Sequence, residues 1–141
     1  DMAVEIKSVG GNQRAKVRIS SEDQLDSHLD KLYLRVYFLS ESLLVDSGES
    51  LNAIAKRITG QLTDNENKEL FEAKLVAAGY IDIPEYDAPA FRVKECRTYI
   101  VAEDFPRITR KTVPTGVEAV SYDLVLAEIE KYRTATFRIT G

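Results

Sequence analysis

Ala3-Val4-Glu5-Ile6-Lys7-Ser8-Val9 is an apolar stretch carrying two charges at alternate positions. Period-two alternation predicts a β-strand. On an extended strand Glu5 and Lys7 share one face, about 6.6 Å apart. Val4 and Ile6 then point the other way, toward a core. A carboxylate beside an amine has chemical uses. The carboxylate can ligate a hard divalent cation such as Mg2+. The lysine can orient a water or steady charge on a phosphate. The simpler reading is an amphipathic strand with a charged outer face.

Working outward, Gly10-Gly11-Asn12 signals a turn. From Gln13 to Ile19 the chain alternates again, with Arg14, Lys16 and Arg18 on one face and Ala15, Val17 and Ile19 on the other. This predicts a second strand, hairpin-paired with the first. Ser21 and Gln24 have capping-box spacing and predict a helix start, with Leu25 and Leu29 as its apolar stripe. Leu32 to Leu39 is nearly continuously apolar, which predicts a central strand.

Asp46-Ser47-Gly48-Glu49 reads as a loop. Ser50 is a predicted N-cap for a helix carrying Leu51, Ile54, Ala55 and Ile58 inward, which Gly60 ends or weakens. A second helix is predicted from Asn65 to Ala78, with Leu70, Phe71, Leu75 and Ala78 inward and Gly79 as its C-terminal cap. Pro84 makes the next stretch irregular. Phe91 to Val101 and Val117 to Leu126 read as strands, with turns marked by Phe105-Pro106 and by Val113-Pro114-Thr115-Gly116. A short helical or irregular tail follows. No repeats or linkers appear, so residues 1–141 are expected to form one α/β domain.

Composition narrows the function classes. A chain of 141 residues that is 44% hydrophobic can build a core and is not of disordered type. The net charge of −4 argues against a free-standing nonspecific nucleic-acid binder, so any such contact must use a local basic patch. Cys96 is the only cysteine, so no internal disulfide can form. That suits a reducing, cytoplasmic setting. No apolar run approaches the roughly 20 residues of a membrane span, and no signal peptide is visible. A site motif at residue 5 of a chain starting at Asp1 leads us to expect further sequence upstream.

A metal-dependent site needs a second carboxylate beside Glu5. On an extended strand Asp1 lies about 13 Å from it, too far to share an ion whose oxygen ligands sit at about 2.0–2.6 Å. Arg14, Lys16 and Arg18 could hold phosphates, although a solvated charged face is the commoner role of such a row. Arg107, Arg110 and Lys111 form a second basic cluster with surface charge as its default reading. His28 has no Cys or His neighbours, so zinc is not expected. Ser40, Ser42 and Ser47 show no nucleophile-elbow pattern. The tyrosines read as packing residues rather than base-stacking platforms.

The order of segments is more specific than any one of them. Val4-Glu5-Ile6-Lys7-Ser8 is followed by the basic strand, then by Ile19-Ser20-Ser21-Glu22-Asp23-Gln24-Leu25 and Leu32-Tyr33-Leu34-Arg35-Val36. Ala78-Gly79-Tyr80, Tyr99-Ile100-Val101, Asp104-Phe105-Pro106-Arg107-Ile108, Val113-Pro114-Thr115-Gly116-Val117 and Val120-Ser121-Tyr122 complete the set. Together they resemble the C-terminal part of PD-(D/E)XK motif proteins, the restriction-endonuclease-like proteins linked to bacterial restriction and phage defence. The resemblance covers nearly all of the chain. It implies a mixed central β-sheet flanked by helices and Mg2+- or Mn2+-dependent hydrolysis of DNA phosphodiesters. It further implies that Glu5 and the backbone carbonyl of Ile6 ligate metal, and that Lys7 positions the attacking water. Gln24 matches a glutamine that recurs after the site hairpin in that superfamily. The first aspartate of the motif has no match here, so an upstream segment or another protein chain is expected to supply it. The rival reading is a non-catalytic module that binds DNA or a protein partner while keeping the fold.

Overall fold

Leu32, Leu34, Val36 and Phe38 alternate with Tyr33, Arg35, Tyr37 and Leu39, and the first set is buried. This alternation makes strand β3 (Lys31–Ser42) of the computed structural model, which describes residues 1–10, 15–44 and 48–135. Six strands and two α-helices are described. They are β1 (Met2–Gly10), β2 (Lys16–Ile19), β3 (Lys31–Ser42), β4 (Glu49–Ser50), α1 (Leu51–Gln61), α2 (Asn65–Ala77), β5 (Ala90–Ile100) and β6 (Tyr122–Val125). Short 3-10 helices occupy Pro84–Asp87 and Leu126–Tyr132. Arg14, the Gly11-Asn12 turn and the Asp46-Ser47 part of the predicted loop lie outside the described residues.

The main sheet has the order β1-β3-β5-β4. β1 runs parallel to β3, and β4 runs antiparallel to β5. The sheet is therefore mixed and the class is α/β, with β3 an interior strand as its apolar run predicts. β2 and β6 form a separate antiparallel pair.

By contact density the chain divides into two units, one of Asp1–Leu39 with Val93–Gly141 and one of Ser40–Arg92. The first holds a core that includes Ile19, Leu25, Leu34, Val36, Tyr99 and Ile129, each with no exposed surface. Full burial of a side chain such as Leu34 contributes about 1.5–3 kcal/mol.

Three local expectations fail in this unit. First, β1 and β2 are not hairpin partners. β1 pairs with β3 from Met2↔Lys31 to Gly10↔Leu39, while β2 sets Val17 opposite Leu124 of β6. Each strand thereby lies beside an apolar row. Second, residues 21–30 form turns and no helix. Ser21 Oγ accepts from the Asp23 N–H and Ser27 Oγ from the Leu29 N–H, the local bonds by which serine competes with helix. Leu25 is buried but Leu29 is 45% exposed, so there is no stripe. Third, β6 is shorter than the predicted Val117–Leu126 strand. Gly116 (φ 90°) and Ala119 (φ 57°) turn the backbone out of extended geometry just before it.

In the second unit Ser50 caps α1, its Oγ accepting from the Ala53 N–H at 3.1 Å. α2 ends as its sequence predicts. Gly79 takes φ 84°, the Gly79 N–H meets the Val76 carbonyl at 3.0 Å and the Tyr80 N–H meets the Leu75 carbonyl at 2.9 Å. That is the double bond of a Schellman stop. However, α2 has no buried residue, and Leu70, expected inward, is 54% exposed. Phe71, Leu75 and Ala78 instead line an open cleft of about 400 Å3 against Leu51, Ile54 and Ile58. Asn52, 2% exposed, ties down the irregular segment after α2. Its Nδ2 donates to the Ile83 carbonyl and to Asp87, and its Oδ1 accepts from the Tyr80 hydroxyl at 2.6 Å.

Candidate active site

β1 faces the opposite way from the sequence expectation. Register pairs Glu5 with Leu34 and Lys7 with Val36, both core residues, and pairs Ile6 with half-buried Arg35. Partners in a parallel ladder point to the same side of the sheet. Glu5 and Lys7 therefore share the inward face with Val9, which is buried, and with Ala3, which packs on the core. Ile6 is 57% exposed and Ser8 is exposed. Val4 is only half-buried. Charges on the core side of a strand are costly unless they are paired or hydrogen-bonded.

Here they are both. Lys7 Nζ lies 3.8 Å from Glu5 Oε1, an ion pair too long for a hydrogen bond. It donates to Gln24 Oε1 at 2.8 Å. The same Oε1 accepts the Ser20 backbone N–H at 2.8 Å. Gln24 thus turns its carbonyl oxygen toward Lys7 and Ser20. The side chains of Lys7 and Glu5 are 16% and 26% exposed. Burial pushes the Glu5 carboxyl above the ordinary carboxylate value, and the Lys7 charge offsets only part of that rise. An ammonium has three donors. With one donor on Gln24 and Glu5 beyond bonding distance, Lys7 keeps donor capacity for a bound anion or water.

The three residues singled out from sequence, Glu5, Lys7 and Gln24, are therefore brought together, although the turn that carries Gln24 is not the predicted helix. Lys16 and Arg18 are not beside them in bonding terms. They are exposed and pair across the β2–β6 ladder with Asp123, at 3.4 and 3.1 Å. Such solvated pairs contribute about 0–1 kcal/mol each, and two cations against one carboxylate leave a net positive edge. Arg14 lies outside the described residues. Asp1 is 89% exposed, and its amino group lies 3.7 Å from Asp30. His28 is exposed.

Sequence reading missed the groups that hold the Gln24 turn. Glu22 is 5% exposed, and its Oε2 accepts the Val120 N–H at 3.1 Å. Arg107 donates to the Leu25 carbonyl at 2.7 Å, and Arg110 forks onto Asp23 at 2.7 and 3.0 Å. These pairs join residues far apart in the chain, and no local spacing announces them. A cleft of about 560 Å3 in the same unit is lined by Lys31, Tyr33, Ile100, Glu103 and Arg107 among others, and includes none of Glu5, Lys7 or Gln24.

For a hard cation, Glu5 is the carboxylate that β1 brings to this face beside Lys7. Among the described residues no group of three His, Cys, Asp or Glu side chains could hold a metal ion. One carboxylate still suits Mg2+, which is commonly held by one or two carboxylates together with water and substrate phosphate.

A family model described as "Putative PD-(D/E)XK family member, (DUF4420)" matches residues 1–127. The chain belongs to that family, and its membership points to a nuclease-like function. No curated protein and no solved structure matches the chain. Among the described residues no helix is long and apolar enough to cross a membrane.

Proposed function

We propose that this chain is the C-terminal portion of a restriction-endonuclease-like domain that hydrolyses DNA phosphodiesters with Mg2+ or Mn2+, in a cytoplasmic restriction or phage-defence setting. The observation that carries this reading is the Glu5–Lys7–Gln24 contact set on the core-facing side of β1. Family membership supports it.

Glu5 and the Ile6 carbonyl are the groups that would hold the metal, which when bound polarises a phosphoryl oxygen and neutralises its charge. A second carboxylate, from another segment or another chain, would complete the cage. Lys7 orients the attacking water and steadies the negative charge that builds on the phosphate in the transition state. Gln24 keeps the Lys7 ammonium in place and limits its collapse onto Glu5. The raised Glu5 carboxyl must lose its proton before it can ligate a cation. Lys16 and Arg18, with Arg14, grip the DNA backbone without reading bases.

The test is incubation of supercoiled plasmid with the full-length protein in Mg2+, in Mn2+ and in EDTA. Nicking or linearisation with either metal and none in EDTA is expected. No cleavage, together with no calorimetric signal for metal, would overturn the enzymatic reading. A second reading, a DNA- or partner-binding module that keeps the fold, would then take its place. It is favoured by the finding that, among the described residues, no group of three His, Cys, Asp or Glu side chains could hold a metal ion.

A further inference from the structure

We propose that the segment from Arg107 to Val120 is a clamp that positions Gln24, and through it the Lys7 ammonium. The proposal rests on the nuclease reading of Glu5, Lys7 and Gln24.

Gln24 sits in a turn whose own backbone bonds are long. The Gln24 N–H to Ser21 carbonyl and the Asp26 N–H to Asp23 carbonyl distances are both 3.3 Å. A catalytic group must be held to within about 0.5 Å of its working position, usually by partners outside the site. The partners here come from one segment and meet the turn on both sides of Gln24. Val120 bonds Glu22, Arg110 grips Asp23 with two bonds and Arg107 takes the Leu25 carbonyl. Leu25 is itself fully buried, which pins the turn from below.

The clamp has its own footing. The Ile108 N–H donates to the Tyr122 hydroxyl at 3.2 Å. Just upstream, Phe105 is 3% exposed and packs against Tyr132, with ring centroids 5.0 Å apart. The Tyr132 hydroxyl donates to the Asp104 carbonyl at 2.7 Å. Ala119 adopts φ 57°, a conformation that costs a non-glycine residue energy, directly before the Val120 N–H that meets Glu22. Of the three grips, Arg110–Asp23 is the accessible one, with side chains 69% and 56% exposed. It can be removed without opening the core.

An exposed arginine near a nuclease site has an obvious alternative role, holding phosphate. The two roles separate cleanly. The experiment compares Asp23→Ala, Arg110→Ala and the double variant, in the whole chain. One readout is kcat and KM for Mg2+-dependent cleavage of a DNA duplex. The other is the NMR signal of the Gln24 side-chain amide, recorded without DNA. As positioning residues, both should lower kcat roughly tenfold, the scale of losing an outer partner of a site ligand. The double variant should lose no more, KM should hold, and the Gln24 amide signal should move in all three. If Arg110 holds phosphate instead, Arg110→Ala raises KM and Asp23→Ala lowers it. That result, or an unmoved Gln24 signal, overturns the clamp. The NMR readout needs no activity. A wild-type protein that cuts nothing while the Gln24 signal moves in the variants sinks the nuclease reading and leaves the clamp standing. Wild-type cleavage that the variants leave unchanged does the reverse.

Discussion

Lys7 donates a 2.8 Å hydrogen bond to Gln24 although the two residues are 17 positions apart. The contact joins the inward face of a strand to a turn, and it fixes where the one partly buried ammonium of β1 can act.

Replacing Gln24 with leucine keeps bulk but removes the acceptor shared by Lys7 and the Ser20 N–H. A hydrogen bond to a charged group contributes about 1.5–3 kcal/mol. We therefore expect Gln24→Leu to lower the cleavage rate by roughly ten- to a hundredfold, with the circular dichroism spectrum unchanged. Gln24→Glu keeps an acceptor for both donors and should retain more activity. Equal losses in the two variants would show that the acceptor is not what matters.

Glu5 should respond to Lys7 in a defined direction. Burial raises its carboxyl and the Lys7 charge lowers it. Lys7→Met removes the lowering influence, so the Glu5 carboxyl should titrate at a still higher pH. Carbon-detected NMR of the side-chain carboxyl reads this directly. A fall in the Lys7→Met protein would contradict the geometry.

The same shift makes a stability prediction. Because the folded state raises the Glu5 pKa, folding favours its protonated form. The stability linked to that proton is fully present below the unfolded pKa and is lost as pH rises through the folded value. Glu5→Gln, which cannot ionise, should therefore melt higher than wild type at pH 7, and the gap should narrow toward pH 4. A constant difference in Tm across that range would refute the linkage.

The facing of β1 can be tested by stability alone. Ile6 is 57% exposed and Leu34 is fully buried. Ile6→Thr should change the unfolding free energy by no more than about 0.5 kcal/mol. Leu34→Ala should cost about 2–5 kcal/mol. Urea denaturation compares them, and a large loss for Ile6→Thr would restore the opposite facing.

In the second unit Gly48 is a point of close approach. A Cβ there would collide with the Phe91 carbonyl oxygen and lie 2.7 Å from its carbon, both backbone atoms. Gly48→Ala must displace β4 from β5 and should cost about 1–3 kcal/mol, read from the same denaturation curves.

Much of this was legible in the chain. The Ser50 cap, the Gly79 stop and the interior strand β3 follow from local spacing, because their physics is local. Glu5 and Lys7 share a face by strand period alone. Which face is inward was not legible, since Ile6 looks like a core residue until β3 sets the register. The Ser21–Gln24 spacing predicted a helix, but Ser21 spends its oxygen on a turn and Gln24 reaches Lys7. The partners of the basic row and of the Gln24 turn were hidden for a related reason. Asp123, Val120, Arg110 and Arg107 meet their partners only after folding.

The most direct test of the central claim is the rate of Mg2+-dependent DNA cleavage by the full-length protein beside its Glu5→Ala and Lys7→Ala variants, with folding checked by circular dichroism. Cleavage by the wild type and a loss of at least roughly a hundredfold in each variant are expected, the scale on which single electrostatic groups act in catalysis. Wild-type rates in both folded variants would contradict a catalytic role for Glu5 and Lys7.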